Sequence, residues 1–216
     1  IMANILTIAE QRNGALKKIS FEALAIARQL ADASGGTVTT VVVGKGVAGL
    51  AAALGQHGAD KVLVADDAAL ELPSIDGYVA AFAKAAEVAA PDLILAGHTS
   101  QGRDLVPRLA ARLDAGLATD CTAIEAGEGG RFLFTRPVYS GKAYEQVMIP
   151  EGVQIASVRP NTYKPRDADA ARTAESSTLD LALDAGSFRA KAVEVRKAEG
   201  AKVDLTEATI IVSGGR

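Results

Sequence analysis

One feature restricts the fold more than any other: an alternation of two hydrophobic periods through the first half of the chain. Short β-branched or aliphatic runs, NILTIAE (4–10), TVTTVVVG (37–44), KVLVAD (61–66) and LILAGH (93–98), are separated by stretches with apolar residues at helical spacing. Those stretches are KKISFEALAIARQLADASGG (17–36), a short one from about Val47 to Gln56, SIDGYVAAFAKAAEVAAPD (74–92) and SQGRDLVPRLAARLD (100–114). In the first, Ile19, Leu24, Ile26, Ala27 and Leu30 fall near one face, and Gly35-Gly36 supplies the stop. Ser74 opens the third and Pro91 ends it. Thr99 or Ser100 can cap the last, with Pro107 expected in or near its early turns. Strands separated by helices return parallel to one another. The expected class is α/β, a doubly wound, mostly parallel sheet with helices on both faces.

The rhythm changes after Leu117. The stretch 118–160 has no helical period, and EAGEGGR (125–131) and YSGKA (139–143) read as turns between strands. An antiparallel β meander attached to the parallel sheet is the expectation. Asn161 to Ser187 is polar and reads as a linker or a loop draped over the domain. FRAKAVEVRK (188–197) alternates like an exposed strand, and ATIIVSGGR (208–216) reads as an apolar strand entering a glycine turn. The division that follows is an N-terminal α/β domain over 1–186 and, over 187–216, a linking strand plus the first strand of a second domain.

Composition narrows the function classes. With no Trp and only 4% aromatics, the core has to be built from Val, Leu, Ile and Ala. A formal charge of −3 argues against nucleic acid, which asks for a basic face. The YKPRDADAAR segment (163–172) mixes both signs and reads as a solvated loop. The one cysteine, Cys121, excludes an internal disulfide and fits a reducing compartment. Two histidines far apart offer no zinc set, so no metal site is expected. The first residues enter a strand without a leader, and no apolar run reaches membrane-spanning length. The expected location is the cytoplasm of a bacterium or, in a eukaryote, the mitochondrial matrix, with no membrane insertion.

Gly44, Gly46 and Gly49 reproduce the G-x-G-x-x-G spacing after a strand, with Asp66 about one βα unit further on. The spacing fits a dinucleotide turn or a plain tight turn. Position favours the plain turn, because these glycines follow the second strand whereas the fingerprint belongs to the first βα turn. If the strands run 3-2-1-4-5, the ligand crevice opens beside strands one and four. The loops AEQRNGAL (9–16) and AGHTSQGRD (96–104) would face it. Free amides at the start of the fourth helix, with Arg103 nearby, can receive an anion; a well-capped helix with Arg103 on a solvated or interface surface is the plainer alternative. His98 is expected to close a hydrogen bond rather than act in catalysis. G-x-S-x-G, H-E-x-x-H and the P-loop are all absent, so no catalytic residue is assigned. Redox chemistry here would need an organic cofactor. In VSGGR, Ser213, Gly214 and Gly215 suit a turn whose backbone approaches a diphosphate, with Arg216 supplying charge.

Taken in order, ANILTIAE, DLILAGHTSQGRDLVPRLAARLDAGLATDCTAI, TRPVYSGKAYEQV, SVRPNTY and LTEATIIVSGGR resemble the α subunit of electron transfer flavoprotein across essentially all 216 residues. The resemblance implies a heterodimer with a β subunit, collecting electrons from acyl-CoA dehydrogenases and related enzymes and passing them to a membrane-bound quinone oxidoreductase. It makes the chain an electron-carrier subunit rather than an enzyme with its own substrate. FAD is implied mainly in a second α domain at the interface with β, AMP in the β subunit, and a scaffold that holds no nucleotide in the first domain. Ser213, Gly214, Gly215 and Arg216 match the flavin-contacting turn. Family members continue past this motif into a full FAD-binding domain, so the present stretch by itself is not expected to retain flavin. An adenine-nucleotide-binding enzyme or sensor of the α-hydrolase type would share the sheet, and would be expected to take ATP or AMP near Asn13 and Thr99. A homodimer formed through the surface meant for β is a third possibility.

Overall fold

The four apolar runs become β1 (Asn4–Ala9), β2 (Thr37–Gly44), β3 (Lys61–Asp66) and β4 (Leu93–Gly97). The computed structural model describes residues 2–196, 208 and 210–215. β1 lies between β2 and β4 and parallel to both, with Ile5 opposite Val38 on one side and Leu93 on the other. β3 pairs with the far side of β2. The order 3-2-1-4 is therefore realised, and the direction of winding reverses between β1 and β4. Thr7 and Thr40, buried on adjacent strands, satisfy each other through a 2.7 Å hydroxyl contact.

The intervening stretches fold into α1 (Lys18–Ser34), α2 (Ala51–Gln56, entered through a 3₁₀ turn at Ala48–Leu50), α3 (Ile75–Ala89) and α4 (Ser100–Leu113). Their ends follow the expected chemistry. Gly35 closes α1 at φ 69°. The Ser74 hydroxyl accepts the Gly77 amide, and Thr99 rather than Ser100 accepts the Gly102 amide at 3.0 Å. Pro107 stands in the middle of α4, not in its early turns, and is tolerated on the exposed face.

Two cores flank the sheet. Leu24, Ile26, Ala27 and Leu30 of α1, with Leu54 of α2, pack on one face; Val79 and Phe82 of α3, with Leu105, Val106 and Leu109 of α4, pack on the other. Helices on both faces are what near-continuous burial along β1, β2 and β4 demands.

Beyond α4 lie β5 (Gly116–Cys121), β6 (Ala123–Ala126), β7 (Phe132–Val138), β8 (Ala143–Met148), β9 (Gln154–Val158) and β10 (Glu175–Thr178). β6, β7 and β8 form the antiparallel meander, whose Ile124, Phe132 and Phe134 complete the core on the α1 side. β9 departs from the expectation. It leaves the meander and inserts between β4 and β5, parallel to both, because QIASV is buried along its whole length. β10 pairs in parallel with β3 inside what reads as polar linker, so the main sheet has seven strands in the order β10-β3-β2-β1-β4-β9-β5. An edge strand covered on one side needs little apolar content, and all four residues of β10 are exposed.

Two expected strands do not form among the described residues. At 188–196 and 210–215 the chain lies outside every sheet, with Val193 and Val212 more than nine-tenths exposed. Alternation supplies a face but no partner, and a strand needs a ladder. Lys197, Thr209 and Arg216 lie outside the described residues. Nearer the body, Leu179 is buried and the Arg189 amide donates to Asp76 of α3 at 2.6 Å.

Candidate functional site

The glycine loop after β2 has the amides of an anion cradle, but they have an occupant. Asp66, the last residue of β3, accepts the Gly46 amide at 2.8 Å, the Val47 amide at 2.9 Å and the Ala48 amide at 3.3 Å. These are the donors that open the 3₁₀ turn leading into α2. A carboxylate from the chain itself stands where a phosphate would bind at a helix start. The acidic residue that completes the dinucleotide pattern in sequence closes the loop in space.

The crevice at the winding reversal is also filled from within. β1 continues into a small hairpin, Gln11–Arg12 against Ala15–Leu16, which carries Asn13-Gly14 at its tip. Just before it, Glu10 is buried, and one of its carboxylate oxygens accepts the Thr99 hydroxyl at 2.7 Å. Its own amide donates to Ser20 of α1 at 2.8 Å. The approach is close. A Cβ on Gly102 would lie 1.8 Å from the Gly97 carbonyl oxygen, and one on Gly97 would lie 2.4 Å from Ile19 and 2.9 Å from Glu10. The two loops expected to face a ligand do meet, around the buried side chain of Glu10. Asn13 stays at the exposed tip.

A polar cluster lies at the carboxyl ends of β4, β9 and β5. His98 Nδ1 contacts the Ser157 hydroxyl at 2.9 Å, and its Nε2 is 4.0 Å from Asp120. Asp120 receives a two-bond guanidinium clamp from Arg159, at 2.9 and 2.6 Å. The Asp120 amide donates to Ser157 at 3.1 Å, from a left-handed backbone at φ 61°. Burial chiefly holds the His98 pKa below its usual value; Asp120 opposes this, while Arg103, Arg159 and Arg136 reinforce it. The Arg159 hydrogen bonds keep the Asp120 carboxyl below the ordinary carboxylate range. His98 thus closes a hydrogen bond, as expected of it. Ser157 is only 1% exposed, which removes it as a nucleophile. Burial pushes the Cys121 thiol up to about 12, an inert thiol.

Arg136 of β7 faces Glu145 of β8 at 3.8 Å, and Tyr144 is near enough to bear on the charge of Arg159. Arg103, exposed at the end of the first turn of α4, forms no ion pair among the described residues. Asp120, Arg136, Ser157 and Arg159 were not picked out individually by the sequence pattern. The signal available for them is a charged or hydroxyl residue at the carboxyl end of each of three separate apolar runs.

Of the expected flavin contacts, Ser213, Gly214 and Gly215 are exposed and Arg216 lies outside the described residues. A Cβ added at Gly214 or Gly215 meets nothing within 4 Å, so the backbone there is open to approach. Among the described residues there is no cluster of three or more metal-ligating groups, and no helix long and apolar enough to cross a membrane.

The electron transfer flavoprotein domain matches residues 5–184. The chain is 39% identical over 212 residues to the electron transfer flavoprotein subunit alpha of Bacillus subtilis (strain 168), covering 98% of this chain and 64% of that protein. Protein FixB of Clostridium saccharobutylicum is 38% identical over 214 residues, with 98% and 64% covered. The acryloyl-CoA reductase electron transfer subunit beta of Anaerotignum propionicum is 30% identical over 239 residues, with 99% and 65% covered. The chain spans slightly less than two thirds of the length of these relatives. A match running from β1 past β10, over residues 5–184, shows that the chain belongs to the electron transfer flavoprotein family.

Proposed function

We propose that this chain is the scaffold part of an α-type subunit in a heterodimeric flavoprotein that carries electrons between enzymes. The observation that carries the scaffold reading is the carboxylate of Asp66 seated on the amides of Gly46, Val47 and Ala48. A domain that fills its own anion cradle is built to hold shape rather than a nucleotide. Glu10 beside Thr99 points the same way and weighs against an adenine-nucleotide enzyme.

The cofactor in this proposal is FAD, which supplies the one- and two-electron chemistry when bound. Ser213 would offer a hydroxyl, Gly214 and Gly215 would offer amides to a diphosphate, and Arg216 would offer charge. The open backbone at the two glycines fits that role. The remaining flavin contacts would come from the part of the family's length that this chain does not span, and AMP would sit in the β subunit. The donors would be acyl-CoA dehydrogenases or related enzymes acting on CoA thioesters. A relative named as an electron transfer subunit of acryloyl-CoA reductase supports exchange of electrons with an enzyme of CoA thioesters, there on the accepting side. The acceptor would be a quinone oxidoreductase.

Co-expression with a β-type subunit tests the proposal. A co-purifying complex of the full-length protein with flavin absorption is expected. Failure to pair, or calorimetric binding of AMP or ATP to this chain alone, would overturn it.

A further inference from the structure

The tip of the meander and the carboxyl edge of the sheet carry exposed aromatic side chains, the exposed Arg103 and Arg159 and the partly buried Arg136. Tyr139 is 81% exposed and Tyr144 is 66% exposed. Arg103, Arg136 and Arg159 stand near enough to His98 to act on its charge, and Tyr144 acts on Arg159. We infer that these side chains form a docking surface for an acidic face of the partner subunit, with Tyr139 and Tyr144 as anchors and Arg103 as the free charge.

Three independent observations carry this. The first is charge. Asp120 clamps Arg159 and Glu145 lies 3.8 Å from Arg136, which leaves Arg103 without an ion pair among the described residues. Arg103 also sits near the start of α4, where the helix dipole disfavours a cation. The second is backbone. Tyr139 and Ser140 both adopt left-handed conformations, at φ 50° and 56°, which non-glycine residues adopt at a cost. That geometry holds the Tyr139 ring out in water, where burial contributes nothing. The third is the edge of β8. Among the described residues it pairs with β7 alone, and residues 143–146 and 148 are exposed, so its outer rim of backbone donors and acceptors is open.

Tyrosine and arginine together are the residues in which interface binding energy concentrates. The inference rests on the proposed pairing with a β-type subunit, and its test separates the two. Full-length protein is co-purified with its β-type subunit, and dissociation constants are measured at low and high salt for wild type, Arg103→Glu, Tyr144→Ala and a distant charge control, Lys84→Glu. Matched far-ultraviolet spectra and melting temperatures establish that each variant is folded. We expect Arg103→Glu to weaken pairing by roughly tenfold or more at low salt and less at high salt. Tyr144→Ala should weaken it by roughly tenfold at both salts, with Lys84→Glu unchanged. Wild-type pairing with Arg103→Glu and Tyr144→Ala indistinguishable from it would overturn the docking surface and leave the subunit reading standing. Absence of wild-type pairing would overturn both.

Discussion

Asp66 caps the turn that begins at Val47: its Oδ2 accepts the Val47 amide at 2.9 Å across a gap of 19 residues, while Oδ1 takes Gly46 at 2.8 Å. The contact joins the end of β3 to the entry of α2, so a strand terminus does the work that an N-cap residue does in α3 and α4. The amides that follow a glycine spacing suited to nucleotides are taken up by the chain's own carboxylate.

Replacing Asp66 with Ala leaves three amides to water and removes the tie between β3 and α2. The side chain is exposed, so the loss should match that of a helix cap, about 1 kcal/mol. Asp66→Asn keeps one oxygen acceptor and should lose less. Urea denaturation of the two variants against wild type gives the comparison. An Ala variant as stable as wild type would mean that the amides are equally well served by solvent.

Gly102 tests the packing at the winding reversal. A methyl group there points at the Gly97 carbonyl oxygen from 1.8 Å, and backbone cannot move aside as a side-chain tip can. Gly102→Ala should therefore destabilise by about 3 kcal/mol or fail to fold, despite alanine's better helix propensity. Gly49→Ala, where nothing lies within 4 Å, serves as the contrast and should be near neutral. Melting temperatures of the pair decide whether close approach or backbone entropy governs these glycines.

Arg28 is 6% exposed and spans two carboxylates, Asp32 at 2.7 Å and Asp60 at 2.6 Å. Asp60 additionally accepts the Val38 amide at 2.9 Å and Arg172 at 2.6 Å, fastening the segment before β10 to the start of β2. Asp60→Ala leaves the buried guanidinium with Asp32 alone and takes the acceptor from the Val38 amide and from Arg172. With Asp60 itself a third exposed, the expected loss is about 2–3 kcal/mol. Asp60→Asn keeps an acceptor for Val38 and should fall between. Limited proteolysis in the 161–175 segment should quicken in the Ala variant, since Arg172 loses its anchor.

The first half of the fold was legible because a parallel, doubly covered strand announces itself as a continuous apolar run, and β1 to β4 are such runs. Thr99 and Ser74 were legible as caps for the same local reason. β9 was not. QIASV sits beside two hairpin strands in sequence, and only its burial between β4 and β5 shows that it belongs to the other sheet. β10 lacked any signal, since ESST owes its strand geometry to β3 rather than to its own side chains. The polar cluster was the least legible part. His98, Asp120 and Arg159 are 61 residues apart from first to last, and each looks ordinary until three strand ends bring them together.

His98 gives the cluster a pH signature. Its pKa lies below the usual 6.5, chiefly because burial disfavours the imidazolium, with three nearby guanidiniums adding to the effect against the pull of Asp120. The unfolded chain therefore takes up a proton at His98 before the folded one does. This contribution to stability is complete above the unfolded pKa and drains away as pH falls from about 6.5 toward the lower folded value, by at most about 1.4 kcal/mol per pH unit. Asp120, whose pKa is also lowered, adds a loss of the same sign, confined to pH values below its ordinary 3.8. His98→Gln stays neutral throughout and can still reach Ser157, so it should flatten the pH 6.5 to 5 portion of the stability profile while leaving the steeper fall at lower pH in place. Urea midpoints at half-unit pH steps for wild type and His98→Gln measure the difference directly. Parallel profiles between pH 5 and 6.5 would mean that His98 remains solvated enough to titrate as it does in the unfolded chain.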